Sequence, residues 1–124
     1  MNSDKLEKKI LIVEDEAIAA MAIEDMIEKM GYTVCASVSF GEEAVKVAFA
    51  ERPDLVLMDI HIHGQIDGIE AAARIREMDI PVIFTTGYLD AKMKRKAAAL
   101  RPVAYLVKPL DHGHLKSIIE SAFR

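Results

Sequence analysis

Five short apolar runs, each separated from the next by a segment of helical period, restrict this chain more than any other feature. The runs are "ILIV" (Ile10 to Val13), "TVCASV" (Thr33 to Val38), "DLVLM" (Asp54 to Met58), "PVIFTT" (Pro81 to Thr86) and "VAYLV" (Val103 to Val107). Most are continuously apolar instead of alternating, the pattern of strands covered on both faces, as in a parallel sheet.

Between the runs, apolar residues recur at helical spacing. Ala19, Ala22, Ile23, Met26, Ile27 and Met30 form one stripe, and Gly31 is placed to terminate that helix. Ser39 and Glu42 have capping-box spacing ahead of Ala44, Val45, Ala48 and Phe49. A third helix carries Ile69, Ala72 and Ala73, and a fourth carries Met93, Lys96, Ala97 and Leu100 on a thin apolar face. The last helix starts near Asp111 and spaces Leu115, Ile118, Ile119 and Ala122 along one side. Strict alternation of five strands with five helices predicts a doubly wound parallel α/β sandwich. Binding sites in such sheets lie beyond the carboxyl ends of the strands, where the strand order reverses.

Composition removes several function classes. At 124 residues the chain is expected to be one domain spanning 9–124, with residues 1–8 as a loose leader. A net charge of -4 provides no general attraction to nucleic acid or anionic membrane. The apolar run nearest the N-terminus stops at Glu14, too short for a secretory signal or a membrane span. Cys35 is the single cysteine, which rules out an internal disulfide and suits a reducing cytoplasm.

The residues at the strand ends narrow the chemistry. The first run leads into Glu14, Asp15 and Glu16, the third into Asp59, the fourth ends on Thr86, and the fifth is followed by Lys108 and Pro109. Acidic residues favour helix N-termini, which accounts for Glu14 to Glu16 taken alone but not for Asp59, Thr86 and Lys108 at equivalent places. Two carboxylates about 4 Å apart repel by roughly 4 kcal/mol at an effective dielectric of 20. A cluster of Glu14, Asp15 and Asp59 therefore calls for a cation, and hard oxygen ligands suit Mg²⁺. A carboxylate beside Mg²⁺ can attack phosphorus and form an aspartyl phosphate. Lys108 would neutralise developing charge, and the Thr86 hydroxyl would bond a phosphoryl oxygen. Asp59, which follows the central apolar run, is the expected nucleophile.

"ILIVEDE", "DLVLMDI", "DGIEAAARIR", "PVIFTTG" and "YLVKPL", in this order over residues 9–123, resemble the receiver domain of two-component response regulators. The resemblance implies a flavodoxin-like (βα)5 fold with strand order 2-1-3-4-5. It implies Asp59 as phosphoacceptor and Glu14, Asp15, Asp59 and the backbone carbonyl of His61 as Mg²⁺ ligands. Thr86 and Lys108 match the family's hydroxyl and lysine, Tyr105 matches its aromatic switch residue, and the Lys108–Pro109 peptide is expected to be cis. Two features depart from the common pattern. The loop "IHIHGQIDG" is one residue longer and lacks a proline, and "AAALRPVAY" replaces the usual Gly-Ala approach to the last strand. Both are similar to a subgroup linked to sensor kinases or found without an effector.

Other signals rank lower. His61 and His63 could offer a transition metal two ligands, but no thiolate accompanies them. His61 and Tyr88 are expected to flank the site, and Cys35 to be a small core residue. "KMKRKAAALR" reads as a solvated helix face, with no nucleic-acid role expected. The expected partners are a sensor histidine kinase or phosphotransfer protein and a downstream protein, the latter meeting the fourth helix, fifth strand and fifth helix, with the chain a monomer or weak dimer. The sequence ends at Arg124, so the output is expected to pass through another protein unless the receiver belongs to a larger one. The runner-up is an aspartyl-phosphate-forming small-molecule phosphatase, which needs an Asp where this chain has His61. A flavin-nucleotide carrier fails on charge, because Glu14 to Glu16 would repel the phosphate.

Overall fold

A computed structural model of the chain describes residues 7–88 and 91–124. The element order is β1 (Lys9–Val13), α1 (Ala17–Lys29), β2 (Thr33–Val38), α2 (Gly41–Glu51), β3 (Leu55–Asp59), α3 (Gly68–Arg76), β4 (Val82–Thr86), α4 (Ala91–Ala98), β5 (Ala104–Val107) and α5 (His112–Ala122). All strand pairs are parallel, in the order β2-β1-β3-β4-β5. This is the expected doubly wound flavodoxin-like sheet. No helix among the described residues is long and apolar enough to cross a membrane.

Side-chain alternation along the strands divides the core in two. Leu11, Val13, Val56, Met58, Val82 and Phe84 face α2, α3 and α4, where Ala44, Ala48, Ala71, Ala72, Ile75 and Ala97 meet them. Ile10, Ile12, Leu55, Leu57 and Ile83 face α1 and α5, against Ile23, Ile27, Leu115 and Ile119. Small alanines on α2 and α3 let those helices approach the sheet closely.

The covered-strand pattern holds for β1, β3 and β4, whereas β2 and β5 are only partly buried because they are the sheet edges. On α1, Ala20 is buried in the place expected for Ala22, which is exposed. Phe49 on α2 is 65% exposed, outside the core, with the Arg52 guanidinium 5.1 Å over its ring. Gly31, at φ 97°, ends α1 as expected. The Tyr32 and Gly31 N–H groups return to Ile27 O and Glu28 O, a Schellman termination. The Ser39–Glu42 capping box does not form: Phe40 occupies the N-cap, and Glu42 turns instead to the loop after β3. Of the expected leader, residues 1–6 lie outside the described residues, while the Lys8 carbonyl accepts from Thr33 N–H.

Candidate functional site

Strand order reverses at β1, so the crevice lies between the carboxyl ends of β1 and β3. Glu14 follows β1 and Asp59 ends β3, and they are only 3% and 4% exposed. Asp15, beside them, is exposed. Carboxylate oxygens of Glu14, Asp15 and Asp59 all lie within 4.8 Å of one another. The Lys108 ammonium, one residue beyond β5, reaches 2.8 Å from Asp59 Oδ2 and 2.5 Å from Glu14 Oε1. The Lys108–Pro109 peptide is cis, as expected.

Backbone amides hold the acids in place. His61 N–H donates to Asp59 Oδ1 at 2.8 Å, and Glu16 N–H donates to Glu14 Oε2 at 3.0 Å. Burial raises the Glu14 carboxyl pKa above the usual range, against the opposing pull of Lys108. Burial also opposes the Lys108 ammonium, but its contacts with the Asp59 and Glu14 carboxylates outweigh it and hold the pKa high. A single ammonium thus serves the two buried acids.

The donor set fits a hard divalent cation. All three side chains offer oxygen, and Glu14 Oε1 is buried with no aligned hydrogen-bond donor among the described residues, only the Lys108 ion pair. Neither His61 nor His63 joins this cluster.

Thr86 ends β4 and is fully buried, and its hydroxyl is engaged by the next turn instead of by the acids. It donates to the Tyr88 carbonyl and accepts from Tyr88 N–H at 3.2 Å. The same carbonyl lies 3.2 Å from His61 Nε2, and the His61 and Tyr88 rings stack with centroids 4.5 Å apart at 26°. His61 and Tyr88 therefore bridge the β3 and β4 loops, with the His61 backbone N–H on Asp59. Tyr105 pairs across from Phe84 and stacks on it at 6.1 Å. Its hydroxyl is buried without a hydrogen-bond partner among the described residues, and burial raises its pKa.

Of two supporting residues, the sequence assigns Glu42 a different role and does not mark Arg76 at all. Glu42 accepts from Gln65 N–H at 3.1 Å and fastens the long loop after β3. Hydrogen bonds from its own backbone N–H, then from Gln65 and Ile66, hold its carboxyl pKa below the usual value. Arg76 on α3 donates to Leu100 O at 3.1 Å and Ile80 O at 3.3 Å, tying the C-terminal end of α4 to the sheet. Loop length is the one sequence signal for Glu42; nothing local marks Arg76.

Residues 10–120 match the response regulator receiver domain family. The transcriptional regulatory protein PdtaR of Mycobacterium tuberculosis is 35% identical over 116 residues, 93% of this chain but 56% of that protein. The chain thus spans about half the length of this curated relative. The signal receiver domain of a modulated diguanylate cyclase from Desulfovibrio desulfuricans G20 superposes with a TM-score of 0.88 at 39% identity, covering 92% of this chain and 91% of that one. The receiver domain of a sensor histidine kinase from Pseudomonas aeruginosa, with a magnesium ion coordinated in its active site cleft, has a TM-score of 0.82 at 30% identity, over 92% and 95% of the two chains. The chain belongs to the response regulator receiver domains of two-component signalling.

Proposed function

We propose that the chain is a cytoplasmic phosphoacceptor that takes a phosphoryl group from a histidine kinase or phosphotransfer protein onto Asp59. The convergence of Glu14, Asp15, Asp59 and Lys108 at one crevice carries this reading. Asp59 attacks the phosphorus of a donor phosphohistidine; a P–O bond forms as the P–N bond breaks, and its electron pair leaves with the imidazole nitrogen. Glu14, Asp15, Asp59 and the His61 backbone carbonyl would hold Mg²⁺, whose contribution is to neutralise phosphoryl-oxygen charge. Lys108 adds a second cation on the Asp59 side.

After transfer, Thr86 gives up its Tyr88 partner and turns its hydroxyl to the phosphoryl group, and Tyr105 relays the change. The downstream protein meets α4, β5 and α5. Val103 and Val107 leave apolar surface there, and α4 buries only Ala97, so that element is held weakly. A groove of about 400 Å³ between α1 and the segment Lys108 to Leu110 opens beside the acids and suits the helix bearing the donor histidine. The phosphatase reading is not favoured. It requires an acid/base two residues after Asp59, and His61 turns its ring to Tyr88.

Incubation with Mg²⁺ and a small acyl-phosphate donor is expected to add one phosphoryl group by intact mass, lost entirely in Asp59→Asn. Labelling that persists in this variant refutes the assignment. Tyr88→Ala opens the stacked cover and is expected to shorten the phosphoryl lifetime by a few-fold in a decay time course. An unchanged decay rate would remove Tyr88 from the account.

A further inference from the structure

The helix α4 carries Lys92, Lys94, Arg95 and Lys96 within eight residues and no acid. These are four of the 16 lysines and arginines of an otherwise acidic chain, all exposed, and none pairs with a described carboxylate. Such a helix is unfavourable in isolation. Lys92 and Lys96 repel at i,i+4 spacing, and Lys92 lies in the first turn, where the helix dipole disfavours a cation. Little packing compensates, since Ala97 alone is buried.

Lys92 and Lys96 form one wall of a groove of about 480 Å³ between α3 and α4. Ile69, Ala73 and Met93 contribute apolar surface to it, and Asp67 and Glu70 line the α3 side. Asp67 caps α3 by accepting from Glu70 N–H, and Glu70 pairs with Arg74 at 3.5 Å, whereas neither lysine pairs with a described carboxylate.

We infer that the α3–α4 groove docks an acidic amphipathic helix of a protein partner. Its apolar stripe rests on Ile69, Ala73 and Met93, and its carboxylates meet Lys92 and Lys96. A charge-bearing rim around an apolar floor matches helix-in-groove recognition. A nucleic-acid backbone is the poorer fit, because it has no apolar stripe to set against the floor of Ile69, Ala73 and Met93. This surface lies on the α3 side of α4, which it shares with the α4–β5–α5 face, and does not depend on Asp59 chemistry.

The test uses the full unphosphorylated chain, isotopically labelled, titrated with a synthetic helical peptide bearing leucines at i, i+3 and i+7 and glutamates along one flank. The expected result is saturable shifts centred on Ile69, Ala73 and Met93. Lys92→Glu with Lys96→Glu should weaken binding by roughly tenfold, with the circular dichroism spectrum unchanged. The inference is overturned if a scrambled peptide of the same composition, a DNA duplex or phosphatidylserine vesicles bind as tightly. Shifts confined elsewhere, an affinity indifferent to charge reversal, or occupation of the groove by a second copy in sedimentation would also overturn it. Failure here leaves the Asp59 labelling result standing, and the reverse is equally true.

Discussion

Lys108→Met is expected to lower the unfolding free energy of the metal-free protein by about 3–5 kcal/mol, the usual cost of leaving a buried charge without its partner. The Glu14 and Asp59 side chains are 1% and 5% exposed, and Lys108 at 24% is shielded enough for its pairing to resist solvent screening. Methionine keeps most of the stem and removes only the charge, so the loss is electrostatic. At this chain length it corresponds to a fall in melting temperature of roughly 10–20 °C. Millimolar Mg²⁺ should return part of the loss by binding the folded state alone. Adding Asp59→Asn should return part of it without metal, by removing one of the two stranded charges.

The pH dependence has a definite sign. The folded-state pKa of Lys108 is raised, so its stabilisation is complete below its unfolded pKa and disappears only as pH rises through the folded value, in the alkaline range. Glu14 is also raised, chiefly by burial, so ionising it costs stability as pH rises through its folded pKa. Without the Lys108 ammonium that pKa climbs further. The deficit of Lys108→Met should therefore shrink on acidification from neutral pH. Denaturant titrations without divalent ions measure all of this. A Lys108→Met protein as stable as its parent would mean that the acids do not rely on the ammonium.

Most of the fold could be read from the chain because its signals are local. An apolar run bounded by turn residues and a stripe at helical spacing each depend on a few adjacent positions. Parallel pairing then leaves few arrangements. The two edge strands were the exception: "TVCASV" and "VAYLV" are as apolar as the central runs, but edge position belongs to the whole sheet. The core acids and Lys108 were legible because each stands at the end of a strand. Glu42 was misread for the converse reason. Its spacing from Ser39 advertises a local cap, yet its partner Gln65 is 23 residues away across a loop whose path local pattern does not determine. The bridge from Thr86 through Tyr88 to His61 was half legible: proximity followed from position, but the shared Tyr88 carbonyl depends on loop geometry.

Gly68→Ala tests how rigidly the acceptor is held. Gly68 is the first residue of α3, where helix propensity alone favours alanine by about 1 kcal/mol. Packing opposes it: a β-carbon there would lie 2.3 Å from the Asp59 carbonyl oxygen and 2.8 Å from that of Ile60. Both obstacles are backbone at the end of β3, so no rotamer change relieves them. Either α3 retreats or the strand end carrying Asp59 shifts. Overpacking of this kind costs about 3 kcal/mol, enough to reverse the propensity gain. The variant should be destabilised by about 2 kcal/mol net in denaturant titrations and should label more slowly, because Asp59 moves relative to Lys108. Gly87→Ala is the matched control: no atom of the described residues beyond its chain neighbours lies within 4 Å of the added carbon, and stability should change by less than about 0.5 kcal/mol. If Gly68→Ala proves as stable as the parent, the end of β3 yields freely, and the site owes its geometry to the Lys108 and His61 contacts alone.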